Sequence, residues 1–366
     1  MIKIEKLTEL HNEELLSILE AVPMVSPDLT ICVDQRPNIF TLSKLQFHSF
    51  DFYGFYLKGK MEGFAAFGYH DIYINGERKT AGQLTHFYLL DKLKKLGMFY
   101  RASKQVFADV WAKTNLCYLL ILDGNDEALD HIGKRHPKFP LVPHSRVIGH
   151  LEIRNIVLTF AKKESRRFAV RRAERKDIDV ILKLLADNMP NRLFGMSASK
   201  DCFLKNLHNR PNFDISNYFL AEKDGQVVGV CCAWDPHSFK RNRVLSYNLR
   251  FLPTRMVMKT LSSLFSCPAL PRLGEAFRGM CITEFAVPSN DPAIMEALLR
   301  TVYNHSLQQK YNLLMFASFE GDPLLAAAKP FLNEKLRSVI VGGSLDETFL
   351  KKELDTTSPY IDMALL

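Results

Sequence analysis

"LTHFYLLDKLKKLGMF", Leu84 to Phe99, decides how this chain is read. An apolar run ends in a turn carrying Lys92, Lys94 and Lys95, passes Gly97, and continues into "YRASKQVFADVWAKT", which has helical spacing. A strand, a basic turn and a helix start in that order have two readings. One is a solvated surface turn. The other is an anion site, because the first amides of a helix point outward and the helix dipole adds positive charge there.

The stretch has a second copy. "LTHF" from Leu84 lies over "ITEF" from Ile282, an offset of 198 positions, and "LDGNDEAL" from Leu122 lies over "FEGDPLLA" from Phe319, at 197. Earlier in the chain the offset is 166: "IKIEKLTELHNEELLSIL" from Ile2 matches "FAVRRAERKDIDVILKLL" from Phe168, and "KGKMEGFAAF" from Lys58 matches "DGQVVGVCCA" from Asp224. Four segments in one order, with the offset growing from 166 to 198, describe a duplicated unit whose second copy carries 32 extra residues.

Each copy reads as a strand and an amphipathic helix, an irregular stretch, a β-hairpin with glycine in its turn, a further strand, a helix, a strand, a helix and a final strand pair. The two late strands are joined by a helix, so they are expected to be parallel neighbours, whereas the hairpins are antiparallel. The fold class is α/β with an α+β mixed sheet: two domains in tandem, each a mixed, mostly antiparallel twisted sheet flanked by helices. The expected boundaries are 1–160 and 161–366, with the insertion at about 240–279.

Length and composition agree. A chain of 366 residues is too long for one small core. Apolar content of 47% and charged content of 24% are those of a globular protein, and the net charge of +8 favours an anionic partner. The 7 cysteines form no CxxC pair, which reads as reduced thiols rather than a disulfide framework or zinc site. No segment has signal-peptide character or approaches the roughly 18 apolar residues of a membrane span. A cytoplasmic protein is expected, with no metal and no nucleic-acid or membrane partner. Oligomeric state is left open.

This order of elements resembles the GNAT acyltransferase family, here in tandem over nearly the whole chain. The family's signature after its fourth strand is V-x-P-x-x-[RQ]-x-x-G-x-[GA]. In the first copy Leu89 stands at the Val position, Lys94 at Arg/Gln and Gly97 at the first Gly, while Asp91 replaces Pro and Phe99 replaces the small residue. The resemblance implies an N-acyltransferase that moves an acetyl or other acyl group from acetyl-CoA or another acyl-CoA to a small-molecule amine or peptide acceptor. The cofactor would be held at Leu89, Leu90, Lys94, Lys95, Leu96, Gly97, Met98 and Phe99. In the second copy Asp291 stands at the Arg/Gln position and Ile294 at Gly, so "SNDPA" reads as an ordinary helix N-cap with Pro292 near the first helical position. That copy is expected not to bind coenzyme A in the family's manner. The alternatives are a non-catalytic, degenerate member that binds a ligand or partner, and a membrane-associated acyltransferase.

Acyl transfer to an amine needs a base for the ammonium proton. The resemblance places the base on the fourth strand, where the repeat aligns His86 with Glu284. Either can be that base, or a strand residue in a polar pocket or facing solvent. The family often has a tyrosine on the helix after the fifth strand. Neither copy has one, and His131 is near that position in the first, as a candidate or as a surface helix residue. The basic run "FKRNR" from Phe239 reads as a solvated loop. The insertion has an apolar face at helical spacing, Met256, Val257, Leu261, Leu264 and Phe265. It can join the two copies, cover an acceptor pocket, or lie on a membrane.

Overall fold

The computed structural model describes residues 2–366 except 27, 95–96, 126–127, 131–137, 197–198, 266 and 354–358. The first half runs β1 (Ile2–Leu7), α1 (Asn12–Ala21), β2 (Met24–Val25), β3 (Leu29–Asp34), α2 (Phe40–Gln46), β4 (Ser49–Leu57), β5 (Lys60–Ile74), β6 (Glu77–Leu89), α3 (Asp91–Lys94), α4 (Met98–Trp111), β7 (Cys117–Leu122) and β8 (His144–Val157). The second runs β9 (Ala169–Arg172), α5 (Ile178–Asn188), α6 (Lys200–Asn209), β10 (Tyr218–Lys223), β11 (Gln226–Trp234), β12 (Arg241–Tyr247), α7 (Leu252–Leu264), β13 (Gly279–Ala286), α8 (Pro292–Gln308), β14 (Leu313–Phe319), β15 (Asn333–Ser344) and α9 (Glu347–Glu353).

The mixed, mostly antiparallel sheet flanked by helices is there, as one twelve-stranded sheet shared by both halves. Its order is β1-β4-β5-β6-β7-β15-β8-β14-β13-β11-β10-β9. Pairing runs the same way inward from each edge, and the parallel neighbours are β6 with β7 and β13 with β14. The centre is crossed: β15 pairs with β7, and β8 pairs with β14. Each half therefore ends on one long strand set against the other half, not on a strand pair of its own. These two strands pair with each other from Asn333↔Ile156 to Ser344↔His144.

Local chemistry explains the elements. The turns Lys58-Gly59 and Asp224-Gly225 have positive φ at both central residues, the geometry that closes a two-residue hairpin without splaying it. Helix α1 buries Leu15, Leu16, Ile18 and Leu19 on one stripe against Phe52 and Phe64 of the sheet. Helix α4 covers the opposite face with Val106, Phe107 and Val110 on Phe55 and Phe67. Covered on both sides, β5 reads as a nearly continuous buried run. The insertion supplies β12, which pairs with β3 of the first half from Arg241↔Asp34 to Tyr247↔Leu29. This small sheet, β12-β3-β2, is the joining role, and it leaves α7 outside.

Candidate active site

Two places in the sheet are built to open. β6 and β7 pair in parallel only from Gly82↔Cys117 to Leu84↔Leu119, after which β6 runs on to Leu89 without β7. β13 and β14 pair from Gly279↔Leu313 to Cys281↔Met315 and then part. Each long strand also carries a bulge. The β5–β6 register shifts between Ala66↔His86 and Phe67↔Leu84, leaving Thr85 as the extra residue. The β11–β13 register shifts between Val230↔Ala286 and Cys232↔Thr283, where Glu284 has a φ of 43°. A bulge bends its strand and re-aims the side chains beside it.

At the first opening the bulge presents His86, buried among Phe52, Phe64 and Tyr88. Its Nδ1 lies 2.9 Å from Thr85 Oγ1 and its Nε2 lies 3.3 Å from Gln35 Oε1. Burial, with the Lys240 charge adding to it, pushes the imidazole down to about 4, so the ring is neutral at neutral pH. An apolar pocket lined by Leu84, Phe107, Cys117, Leu119 and Val341 lies along the paired stretch of β6 and β7, on the α4 face of the sheet.

Helix α4 starts at the mouth of this opening. Its N-cap is Gly97, with φ 61° and ψ 43°, a left-handed conformation that suits glycine and offers no capping side chain. A Cβ placed there would meet no atom within 4 Å, so the backbone faces open space. Of the expected cofactor residues, Met98 is buried and Phe99 contributes backbone to the first turn. The Leu90 amide already donates to Glu62 O at 2.8 Å, and Leu89 closes the β6 ladder against Gly63. Lys94 reaches Asp91 at 2.8 Å, and Lys92 reaches Glu62 at 2.9 Å. Lys95, Leu96 and His131 lie outside the described residues.

The second opening is filled. Glu284 accepts from Tyr218 Oη and pairs with Arg210 at 2.6 Å, so both of its oxygens are engaged. The Glu284 backbone amide donates to Tyr360 Oη at 2.8 Å, and Asp362 lies 3.9 Å from Arg210. Burial works against the Arg210 charge, and Glu284 and Asp362 outweigh it and hold its pKa up. Burial, then Glu284, pushes the Tyr218 phenol up. Phe285 packs on Phe316 and Tyr360, and Arg192 forms a buried pair with Asp322 at 3.2 Å. The helix after this opening, α8, is capped by Asp291, whose carboxylate accepts from the Ala293 amide at 2.8 Å, with Pro292 in its first turn. That is the plain N-cap expected of "SNDPA".

His86 and Glu284, aligned with each other in the sequence, are thus separate in space, with four strands between β6 and β13. Three participants are invisible to motif reading. Gln35 meets His86 across 51 positions of chain. Arg210 and the segment around Tyr360 close on Glu284 from outside its element. "FKRNR" is not a solvated loop: Arg241 and Arg243 pair with Asp34, and partly buried Lys240 acts on His86. Its only local signal is the density of cations. Among the described residues no group of three His, Cys, Asp or Glu could hold a metal ion, and no helix is long and apolar enough to cross a membrane.

No protein-family model and no curated protein matches this chain. Solved structures do. The chain is similar to a GCN5-related N-acetyltransferase from Anabaena variabilis, with 10% identity over 94% of this chain and 73% of that one and a TM-score of 0.52. It is similar to Saccharomyces cerevisiae N-myristoyltransferase with bound myristoyl-CoA, with 10% identity over 94% and 79% and a TM-score of 0.60. A probable N-acyltransferase from Enterococcus faecalis matches at 12% identity over 96% and 74%, with a TM-score of 0.53. The chain has the GNAT fold.

Proposed function

We propose that this chain is an acyl-CoA-dependent N-acyltransferase built from two units, residues 1–160 and 161–366, that exchange their last strands. The first unit holds the co-substrate, acetyl-CoA or another acyl-CoA, and the acceptor is a small-molecule amine or peptide. One observation carries the reading: the β6–β7 opening has a helix start with no side-chain cap, a strand end that β7 has left and a buried neutral imidazole on β6, whereas at the β13–β14 opening the helix start is capped by Asp291 and Glu284 is paired with Arg210. The acyltransferases that share the fold support it. The free thiols suit a cytoplasmic setting.

The amides at the start of α4, from Gly97 through Phe99, bind the diphosphate, with Lys94 adding charge; Lys95 and Leu96, expected beside them, lie outside the described residues. The end of β6 that β7 has left, from Thr85 to Leu89, offers backbone groups to the pantetheine amides. The amine nitrogen attacks the thioester carbonyl, its C–S bond breaks, and the ammonium proton passes to the lone pair of His86. The imidazolium returns that proton to the departing thiolate, so no tyrosine or His131 is needed. Glu284, with both oxygens held, keeps the second opening closed.

The competing reading is a non-catalytic protein that keeps the cleft as a binding site. It is favoured by Lys92 and Lys94, which are already ion-paired. Thiol release from acyl-CoA donors of several chain lengths against an amine panel decides between them. Turnover with any pair supports the enzyme. Thermal stabilisation by coenzyme A without turnover supports the binder, and neither result overturns both.

A further inference from the structure

We propose that Lys240 binds the carboxylate of the acceptor, so that the substrate is an amine that carries its own carboxylate, as amino acids do. This rests on the acyltransferase reading and names its acceptor class. The antiparallel ladder of β12 on β3 ends at Arg241↔Asp34, so Lys240 and Gln35 face each other one step beyond it. Gln35 is the residue that touches His86. Neighbouring strands are about 5 Å apart, so the backbones of Lys240 and Gln35 lie close, and the Lys240 charge is felt at His86. Two carboxylates on the flanking strands are taken, Asp34 by Arg241 and Arg243 and Asp235 by Tyr311, and Asp362 lies 3.9 Å from Arg210. Lys240 forms no ion pair among the described residues, and burial lowers its pKa against the smaller opposing effects of Cys281 and Asp362. A cation withdrawn from water without a directly paired anion is costly, and a substrate carboxylate would offset that cost.

The test compares matched acceptors, glycine with glycinamide and alanine with alaninamide, by thiol release from acetyl-CoA. The native protein is expected to favour each acid at least tenfold in kcat/KM. Lys240→Met brings the ratio to about one, and Lys240→Arg restores a preference. Equal use of acid and amide by the native protein, or an unchanged ratio in Lys240→Met, overturns the assignment. If no amine releases thiol, the acyltransferase reading fails. Calorimetric titration of the same pairs with coenzyme A present then judges Lys240 alone: acid binding lost in Lys240→Met sustains the site, and equal binding of acid and amide overturns it.

A separate surface stands on its own observations. From Pro236 to Gly274 there is no acidic residue, while Arg250, Arg255, Lys259 and Arg272 lie exposed. In the same stretch Leu249, Met256, Val257, Leu264 and Phe265 are each more than half exposed. Met258 alone anchors α7 by burial. Arg250, Arg255 and Lys259 form no ion pair among the described residues, and Arg255 rests on the Tyr247 ring at 4.9 Å. An exposed apolar stripe edged by unpaired cations complements an anionic lipid surface, and we infer that α7 lies on one. Flotation uses phosphatidylcholine vesicles with and without phosphatidylglycerol. Binding only to the anionic vesicles, weakened by salt and lost in Val257→Ser/Phe265→Ser, is expected. No flotation, or equal flotation of the double variant, overturns it. So does a concentration-dependent dimer abolished by the double variant, which would make a second copy the occupant.

Discussion

His86 and Glu284 occupy equivalent bulges and meet opposite surroundings. The neighbour of His86 on β4 is Phe52, and the neighbour of Glu284 on β10 is Tyr218, two residues related by the same 166-position offset. An aromatic wall leaves an imidazole neutral, and an Arg–Tyr clamp holds a carboxylate still. His86→Gln should lower kcat by about 10²–10⁴-fold with little change in KM for acyl-CoA, measured by thiol release. Glu284→Ala should leave Arg210 buried without its closest counter-charge and cost about 3–5 kcal/mol in urea unfolding. The pKa of His86 in the folded chain, about 4, lies below its ordinary 6.5, and His70, buried against Tyr118, is lowered to about 4 as well. Between those pH values the unfolded chain binds more protons. The stability these rings contribute is therefore present above pH 6.5 and lost as pH falls toward 4, by up to about 3 kcal/mol each. Unfolding of His86→Gln across that range should show a shallower acid loss than the native protein.

The helix starts after the two openings divide the labour. Gly97→Val forces a branched side chain into a left-handed conformation at the mouth of the first opening. It should raise KM for acyl-CoA roughly tenfold, the loss of about 1.4 kcal/mol of binding. Asp291→Ala removes a cap in the second unit and should cost about 1 kcal/mol of stability with no change in KM. This difference is legible in the sequence, because an N-cap and a glycine break act within a few residues. The hairpins and the parallel pairs are legible for the same reason: glycine turns and helix-length crossovers are local signals. Gln35, Arg210 and Tyr360 are not legible, since nothing near His86 or Glu284 specifies a partner dozens of positions away. Lys240 is misread as solvated because only the pairing of β12 with β3, a long-range event, turns it inward.

For the whole molecule, the exchange of β8 and β15 makes each half incomplete. No local pattern distinguishes a strand that closes its own sheet from one that closes its neighbour's, which is why two similar units are expected from the sequence and the exchange is not. Residues 1–160 alone would leave β7 without β15 and β8 without either partner. That fragment should show no cooperative thermal transition, and mixing it with 161–366 during refolding should restore one. The unit that holds the co-substrate is best located by hydrogen–deuterium exchange with and without coenzyme A. Protection of amides from Thr85 to Arg101, with none from Glu284 to Met295, is the predicted result. Protection at the second opening, or at neither, would contradict the account.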